Sequence, residues 1–159
     1  MTRFTFTVCQ EADRTQVTDF LFAIGEDLGI ESRQTAKDIV DFTFAQGGML
    51  ASYVEDETVG VSGYLHGEPS ENFANHDVGF IYLAAVQKAH RLSSLFPKGL
   101  SFTVAYLQKI GKKELRLHAR ETDRYTNRLY SHFAKPIRKE LNIRGVPCIL
   151  YGCSLESVI

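Results

Sequence analysis

One nearly continuous apolar run in the middle of the chain constrains the fold most strongly. It spans His76–Val86, with the sequence HDVGFIYLAAV, and contains no charged residue after Asp77. The run is too short to cross a membrane and is typical of a central β-strand that is covered on both faces. We therefore expect a layered fold in which this strand lies inside a sheet.

The segments around this run alternate between strand and helix patterns. Alternating apolar residues predict an N-terminal strand over Thr2–Cys9, and helical spacing predicts two helices after it, capped by Asp13 and Ser32. The other predicted elements are strands Met49–Glu55, Thr58–Leu65, Glu114–Ala119 and Cys148–Leu155, a helix Leu100–Ile110, and a helix that follows Asp123 and ends by Lys135. The order β-α-α-β-β-β-α-β-α-(β)-β predicts an α/β or α+β fold with helices on both faces.

Composition favours one ordinary globular domain over residues 1–159. Lys and Arg total 18 against 19 for Asp and Glu, which argues against a general nucleic-acid binder. No apolar run is long enough for a transmembrane helix, and the N-terminus lacks the apolar core of a signal peptide, so we expect a cytoplasmic protein without a membrane partner.

The cysteines Cys9, Cys148 and Cys153 are interpreted as reduced strand residues, and the five histidines have no metal-ligand spacing.

The octet Asp123–Tyr130 (DRYTNRLY) is the segment with the clearest chemical potential. It follows a predicted strand, so its helix can direct the phenol of Tyr130 back toward the sheet, where a proton donor could act. A Leu129-Tyr130 pair on a helix is also typical of a core contact, so a structural role remains the alternative.

The order of a strand, an Arg-containing loop at Arg91–Phe96, a helix, a strand and this octet resembles the GNAT acyltransferase superfamily. The resemblance extends from about Phe4 to Leu155 and implies the GNAT fold. It also implies that acetyl-CoA or another acyl-CoA is the co-substrate and that the strands Val78–Val86 and Glu114–Ala119 splay apart. The backbone around Ala84, Ala85 and Val86 would then pair with the pantetheine arm and stabilise an oxyanion.

The same resemblance assigns the cofactor's phosphates and the proton donor. The pyrophosphate would lie on the loop residues Arg91, Leu92, Ser93, Ser94, Leu95 and Phe96, where helix N-terminal N–H groups favour an anion. Ser94 and Phe96 stand where the family has two small residues, and Asp123 stands where it has Asn. Tyr130 matches the family tyrosine that protonates the departing thiolate.

The general base is left open by the sequence. Many family members use a Glu on the fourth strand, where this chain has Phe80, Ile81 and Tyr82. The candidates are Tyr82, Asp77, His76, Glu68 and His118, of which His118 has a side chain suited to base catalysis near neutral pH. A chain of water molecules is a further alternative.

Three functional hypotheses follow. The first is an N-acyltransferase that passes an acyl group from acyl-CoA to an amine on a small molecule or peptide by direct attack. A variant of it uses an acyl-carrier protein as donor. The second is a non-catalytic GNAT-like module that senses acyl-CoA or binds a partner, and the third is a different small α/β sensor domain. The apolar final strand Cys148–Leu155 could pair across a homodimer, or it could equally be buried within one chain.

Overall fold

The computed structural model describes residues 3–157. Its strands and α-helices alternate in nearly the predicted order. They are β1 (Phe4–Val8), α1 (Arg14–Ala23), α2 (Arg33–Gln46), β2 (Gly47–Val54), β3 (Glu57–His66), β4 (Val78–Val86), α3 (Leu95–Lys109), β5 (Glu114–Arg120), α4 (Arg124–Ser131), β6 (Lys135–Leu141) and β7 (Pro147–Ser154).

The strands of residues 3–157 form one mixed sheet in the order β1-β2-β3-β4-β5-β7-β6. β4 and β5 are parallel, whereas β1 with β2, β5 with β7 and β6 with β7 are antiparallel. The predicted mixed α/β fold is confirmed. The apolar run forms β4, the middle strand of the sheet, as its sequence predicts.

The chain divides into two compact units, one comprising Met1–Tyr64 with Leu83–Phe102 and the other Leu65–Tyr82 with Thr103–Ile159. In the first unit, α1 and α2 pack on the sheet. Val17 and Leu21 of α1 meet Val40 of α2 and Met49 of β2 in one cluster, and each is at most 1% exposed. Apolar residues at helical spacing predicted both helices because this stripe forms the core of the unit.

The helix caps in the first unit differ from each other. Ser32 caps α2 as predicted, because its Oγ accepts a hydrogen bond from Thr35 N at 3.1 Å. Asp13 occupies the cap position of α1 without making the side-chain bond. Its carboxylate instead accepts a hydrogen bond from Gln10 N at 2.7 Å, and so closes the short helical turn before α1.

In the second unit, β5 alternates strictly between buried and partly exposed residues. Leu115, Leu117 and Ala119 are buried, whereas Arg116 and His118 between them are partly exposed. Residues directly opposite each other in an antiparallel pair point to the same face. The apolar face of β5 is therefore the face of α4, since Leu117 pairs with Tyr151 and the Tyr151 ring contacts Tyr130 of α4.

One predicted helix boundary is wrong, and a second agrees with the structure. α3 begins at Leu95 rather than Leu100, because Leu95 is a core residue at 2% exposure and Pro97 falls in the first turn, where its missing N–H costs nothing. α4 ends at Ser131, in agreement with the prediction that it ends by Lys135, and Lys135–Leu141 forms the edge strand β6. An edge strand tolerates Pro136 because one side of it needs no ladder hydrogen bonds.

Of the two alternatives for the final strand, the structure favours the one within a single chain over pairing across a dimer. β7 lies between β5 and β6 and is hydrogen-bonded on both edges. A strand with two neighbours has no free edge for a second copy. A homodimer of another kind stays a prediction, as does the single domain over 1–159. No helix within residues 3–157 is long and apolar enough to cross a membrane.

Gly79 provides a test of how closely α3 packs on β4. A Cβ atom added at Gly79 would stand 2.9 Å from Leu107 Cδ1, and Leu107 is fully buried, so it has little room to move. We expect Gly79→Ala to lower the free energy of unfolding by about 1–3 kcal/mol in chemical denaturation. Gly99→Ala on α3 is the control, because its new methyl group meets only Phe6 at 3.6 Å. Equal stability of the two variants would contradict close packing here.

Candidate active site

The parallel ladder between β4 and β5 covers only part of both strands. It joins Val78 to Glu114 and ends where Ile81 pairs with Leu117, a total of four residue pairs. β4 continues for five residues beyond Ile81, and β5 continues for three beyond Leu117. We call the Ile81–Leu117 pair the ladder end. The candidate site is built around it.

Exposure along β4 changes near the ladder end. Val78 and Phe80 are buried, as a central strand requires, but Ala84 is exposed. Ala85 returns to the core at 3% exposure. A central strand with an exposed small residue near its C-terminal end offers its backbone to a ligand. This is the stretch, Ala84–Val86, that the resemblance assigns to the pantetheine arm.

Tyr82 is the first residue of β4 beyond the ladder end. Burial raises the pKa of its phenol, and the nearby Arg144 charge only partly offsets this. A phenol with a raised pKa stays protonated at neutral pH and donates hydrogen bonds more readily than it accepts a proton. Tyr82 is therefore a neutral hydrogen-bond donor next to the ladder end. The structure does not favour its predicted role as a base.

The loop between β4 and α3 has an internal turn. Ser93 Oγ donates to His90 O at 2.6 Å and accepts from Leu95 N at 3.1 Å, so its hydroxyl holds the entry to the helix. Arg91 is exposed, and its Nε donates to Val86 O at 3.4 Å. Leu92 is 90% exposed. The loop therefore presents an arginine beside the end of β4, as predicted.

The start of α3 offers few backbone donors. Pro97 has no N–H, and Leu95 N is bonded to Ser93. Ser94 is exposed and its carbonyl accepts the first helical bond, from Lys98 N at 3.2 Å. Phe96 is half-buried, so its ring has found room where the family has a small residue. Side-chain charge is therefore expected to matter more here than in a glycine-rich loop.

Asp123 is a helix cap. Its Oδ1 accepts from Thr126 N at 3.0 Å, and its Oδ2 accepts from Thr126 Oγ1 at 2.6 Å. Asn127, one turn later, donates to Arg120 O at 2.9 Å and accepts from Tyr151 OH at 2.7 Å. Both residues are committed to bonds that fix α4 on the sheet. The cap bonds occupy the Asp123 carboxylate, so the structure gives no support to its predicted cofactor contact.

Tyr130 lies on α4 with its ring against the sheet, as predicted. It is 8% exposed and makes edge contacts to Phe133 and Tyr151, with ring centroids 5.8 and 5.7 Å apart. Burial, with a smaller effect from the Asp123 charge, raises the pKa of Tyr130 to about 12. The phenol therefore keeps its proton throughout the physiological pH range, which a proton donor must do.

Asp77 and His76 lie at the wrong end of β4 for the base they were predicted to supply. Asp77 precedes Val78, the first residue of the ladder, and its carbonyl accepts from Lys113 N and Glu114 N. The ladder end is four residues further along β4, roughly 13 Å away at the rise of a strand. The carboxylate of Asp77 is exposed to solvent at that distance.

Six charged or titratable side chains of the second unit form a continuous chain of contacts on the face of β5 opposite α4. We call it the ion-pair chain. Its contacts run from Glu114 to Arg116, Glu68, Arg138, Glu140 and His118. Gly152 makes room for it, because a Cβ atom there would stand 3.0 Å from Arg116 Cδ.

Glu68 is the buried centre of this chain. Its side chain is 0% exposed and accepts hydrogen bonds from Arg116 and, at 2.7 Å, from Arg138. Burial alone would raise the pKa of Glu68, but the two guanidinium groups outweigh it and hold the pKa below its usual value. A carboxylate fixed between two arginines cannot accept a proton readily, so the predicted alternative of Glu68 as a base loses support.

His118 lies at the opposite end of the ion-pair chain from Glu114. It is the first residue of β5 beyond the ladder end, and its Nε2 is 2.6 Å from Glu140 Oε2. Both side chains are about 15% exposed. Its ring meets Phe80 edge to face, with centroids 5.0 Å apart.

Glu140, Arg138 and Arg116 were not predicted from the sequence as residues near the candidate site. The alternation in Glu114–Arg120 (ELRLHAR) is a readable signal, since every second residue is charged or titratable and shares one face. No comparable signal existed for β6, because KPIRKEL has a proline and a bulge between Pro136 and Arg138. Within residues 3–157, no group of three or more His, Cys, Asp or Glu side chains is arranged to hold a metal ion.

Solved structures share this architecture. No protein-family model and no curated protein sequence matches the chain. The acetyltransferase of the GNAT family from Streptococcus pneumoniae superimposes with a TM-score of 0.71 at 11% identity, over 96% of this chain and 99% of that one. The chain has the GNAT fold. This confirms the fold that the resemblance implied.

Two further GNAT-fold structures have named substrates or ligands. The ribosomal L7/L12 alpha-N-protein acetyltransferase, solved with coenzyme A, matches with a TM-score of 0.72 at 10% identity, over 99% of this chain and 97% of that one. The ribosomal-protein-S18-alanine N-acetyltransferase from Escherichia coli matches with a TM-score of 0.67 at 14% identity, over 96% and 94%.

The ion-pair chain makes a prediction for stability. Glu68→Ala removes the buried carboxylate that two guanidiniums share and leaves each with one outer carboxylate, and we expect a loss of about 3 kcal/mol in the free energy of unfolding at pH 7. Glu71→Ala, an exposed neighbour, is the control and should change it by less than about 0.5 kcal/mol.

The same variant predicts a pH dependence. The pKa of Glu68 is lower in the folded state than in the unfolded state. The charged carboxylate therefore stabilises the fold fully above the unfolded-state pKa near ~4.3, and this stabilisation is lost as the pH falls through the folded-state pKa. The difference in the free energy of unfolding between wild type and Glu68→Ala should therefore narrow as the pH falls from the unfolded-state pKa through the folded-state pKa. A gap that stays constant from neutral to acidic pH would show that the carboxylate charge does not matter.

Proposed function

We propose that this protein is an N-acyltransferase that passes an acyl group from acyl-CoA to an amine by direct attack. The observation that supports this most strongly is the β4–β5 ladder, which stops at Ile81–Leu117 while both strands continue. A GNAT fold with this feature presents β4 backbone groups to an extended ligand arm. Exposed Ala84 on the continuing strand supports the same interpretation.

The residues present fit an acyl-CoA. The backbone of Ala84–Val86 would hold the pantetheine arm as an added strand, and Arg91, Lys88 and Lys98 would supply positive charge for the phosphates. When bound, acyl-CoA supplies the thioester that is attacked. The loop of this chain holds phosphate chiefly through side-chain charge, since Pro97 and Ser93 reduce the backbone donors at the start of α3.

Tyr130 serves as the acid in this proposal. It is a neutral phenol with a raised pKa, held by two aromatic rings. It donates its hydrogen bond to the leaving sulfur as charge develops there. Tyr82, which also remains protonated, is placed beside the ladder end to orient the acyl group or the acceptor.

The acceptor is proposed to be a primary amine on a small molecule or a peptide. Two structural neighbours are named for acetylation of ribosomal proteins, at an alpha-amino group in one case and at an alanine in the other. An amine of this type reaches the thioester only in its uncharged form, so the reaction requires a group that removes a proton.

Binding of the co-substrate is the first test. Acetyl-CoA at about a hundred times its dissociation constant should stabilise the fold by ~2.7 kcal/mol, seen as a rise of a few degrees in the Tm. Arg91→Ala should shrink the shift, whereas Lys109→Ala, at the far end of α3, should leave it unchanged. No shift with acetyl-CoA or longer acyl-CoA would contradict the proposal and direct the search to an acyl-carrier-protein donor or a non-catalytic module.

A second test concerns the acid. Tyr130→Phe keeps the ring contacts but removes the proton, so kcat for acyl transfer should fall by about 10²-fold or more. The Kd for acetyl-CoA should change little. Tyr125→Phe on the same helix is the control, because Tyr125 is 57% exposed. Equal kcat values for the two variants would remove Tyr130 from the chemistry and leave it a core residue.

A further inference from the structure

We infer that His118 is the general base that deprotonates the acceptor amine, and that Glu140 is its positioning residue. This assignment rests on the proposed acyl transfer and adds the group that the sequence left open. It is drawn from the place of His118 on β5 and from its bond to Glu140.

His118 stands at the ladder end and on the face of β5 opposite the acid. Leu117, its neighbour, pairs with Ile81 and shares a face with Tyr151, whose ring contacts Tyr130. Successive strand residues point to opposite faces, so His118 projects away from α4. Direct attack brings the amine to one side of the thioester carbonyl while the sulfur leaves on another. Tyr130, which contacts the Tyr151 partner of Leu117, and His118 lie on opposite faces of β5 near the ladder end, so acid and base can act on different sides of the carbonyl.

The contact with Glu140 fixes which ring nitrogen is available. An ionised carboxylate only accepts hydrogen bonds, so Nε2 at 2.6 Å from Glu140 Oε2 must carry a hydrogen. A neutral imidazole has one N–H, which leaves Nδ1 as the nitrogen with a lone pair. The edge contact to Phe80 holds the ring plane. Glu140 and Phe80 together therefore orient Nδ1 as a proton acceptor.

His118 lies at one end of the ion-pair chain, among charged side chains. The ion-pair chain contains three carboxylates and two guanidiniums, so it has a net charge of −1 when the imidazole is neutral. The groups that face His118 are Glu140 and Arg138 from β6, Arg116 on its own strand, Phe80 from β4 and Leu150 from β7.

The protons balance as follows. His118 Nδ1 takes one proton from the ammonium, and the free amine forms the new C–N bond as the C–S bond breaks. The leaving sulfur takes a proton from Tyr130. The second proton that the amine nitrogen loses on becoming an amide restores the Tyr130 phenol. The products are the amide, the free thiol and one proton on His118, which is released to solvent.

Two acceptors distinguish a base from a structural histidine. Butylamine is almost wholly protonated at pH 7, since alkylammonium groups have pKa values near ~10.4, and it needs the base. Hydroxylamine is largely uncharged at that pH and does not. With acetyl-CoA as donor, His118→Gln should lower kcat for butylamine by about 10²-fold or more and lower it far less for hydroxylamine. The acidic limb of the butylamine pH profile should disappear.

His132→Gln is the matched control, because His132 is an exposed histidine just after α4. It should leave transfer to both acceptors unchanged. Equal losses for the two acceptors in His118→Gln would overturn the assignment in favour of a structural role, as would no loss at all. Absence of transfer by the wild-type protein to either acceptor would overturn the proposed function and this assignment together.

The tautomer is tested without turnover. Nitrogen-15 NMR of the labelled wild-type protein should show His118 with hydrogen on Nε2 and a bare Nδ1 when neutral. Glu140→Gln should weaken that preference and lower kcat for butylamine by less than His118→Gln does. A neutral His118 with hydrogen on Nδ1 would overturn the assignment even if the protein transfers acyl groups.

Discussion

The short parallel ladder between β4 and β5 is the constraint on which the candidate site depends. A strand pair that separates leaves backbone N–H and C=O groups that must be satisfied by water or a ligand. β5 tolerates this because its other edge pairs with β7 from Glu114 to Arg120, over the full length of the strand. The antiparallel neighbour thus keeps β5 in place where the parallel one ends.

The ion-pair chain holds the opposite face of the same strand. Moving the Glu68 carboxylate out of water is costly, and two guanidiniums with several hydrogen bonds offset that cost. The arrangement links the segment after β3 to β5 and β6, so it stabilises three separate parts of the second unit at once. Its last carboxylate, Glu140, joins this structural network to His118 at the ladder end.

Much of the fold was predictable because each signal was local. Alternation predicted β1, helical spacing predicted α1 and α2, and the run Val78–Val86 predicted the middle strand. The start of α3 was missed because it depends on Leu95 entering the core, which no local pattern near Pro97 reveals. β6 was uncertain for the opposite reason. Its residues are almost all exposed, so little apolar periodicity remained to mark a strand.

The candidate site was only partly predictable. Tyr130 lies against the sheet as its spacing predicted, because a helix directly after a strand must pack on that sheet. The Glu140 contact with His118 joins residues 22 positions apart on strands that do not pair with each other. Such a contact follows from the order β5-β7-β6, which the sequence did not reveal. The sequence did not separate two roles for Asp123, because a capping residue and a ligand-binding residue occupy the same place before a helix.

The raised pKa of Tyr130 bears on how it can act as an acid. A phenol with a pKa of about 12 is a weaker acid than a thiol in water, whose pKa is near ~8.5. Transfer of the phenol proton to a solvated thiolate would therefore be unfavourable. The difference between the two pKa values is smaller when the leaving sulfur lies beside Tyr130. Burial disfavours any anion, so the surroundings that raise the phenol pKa also make a departing thiolate more basic. Tyr130 is therefore matched to a leaving group that shares its apolar environment, and the match would be lost if water entered.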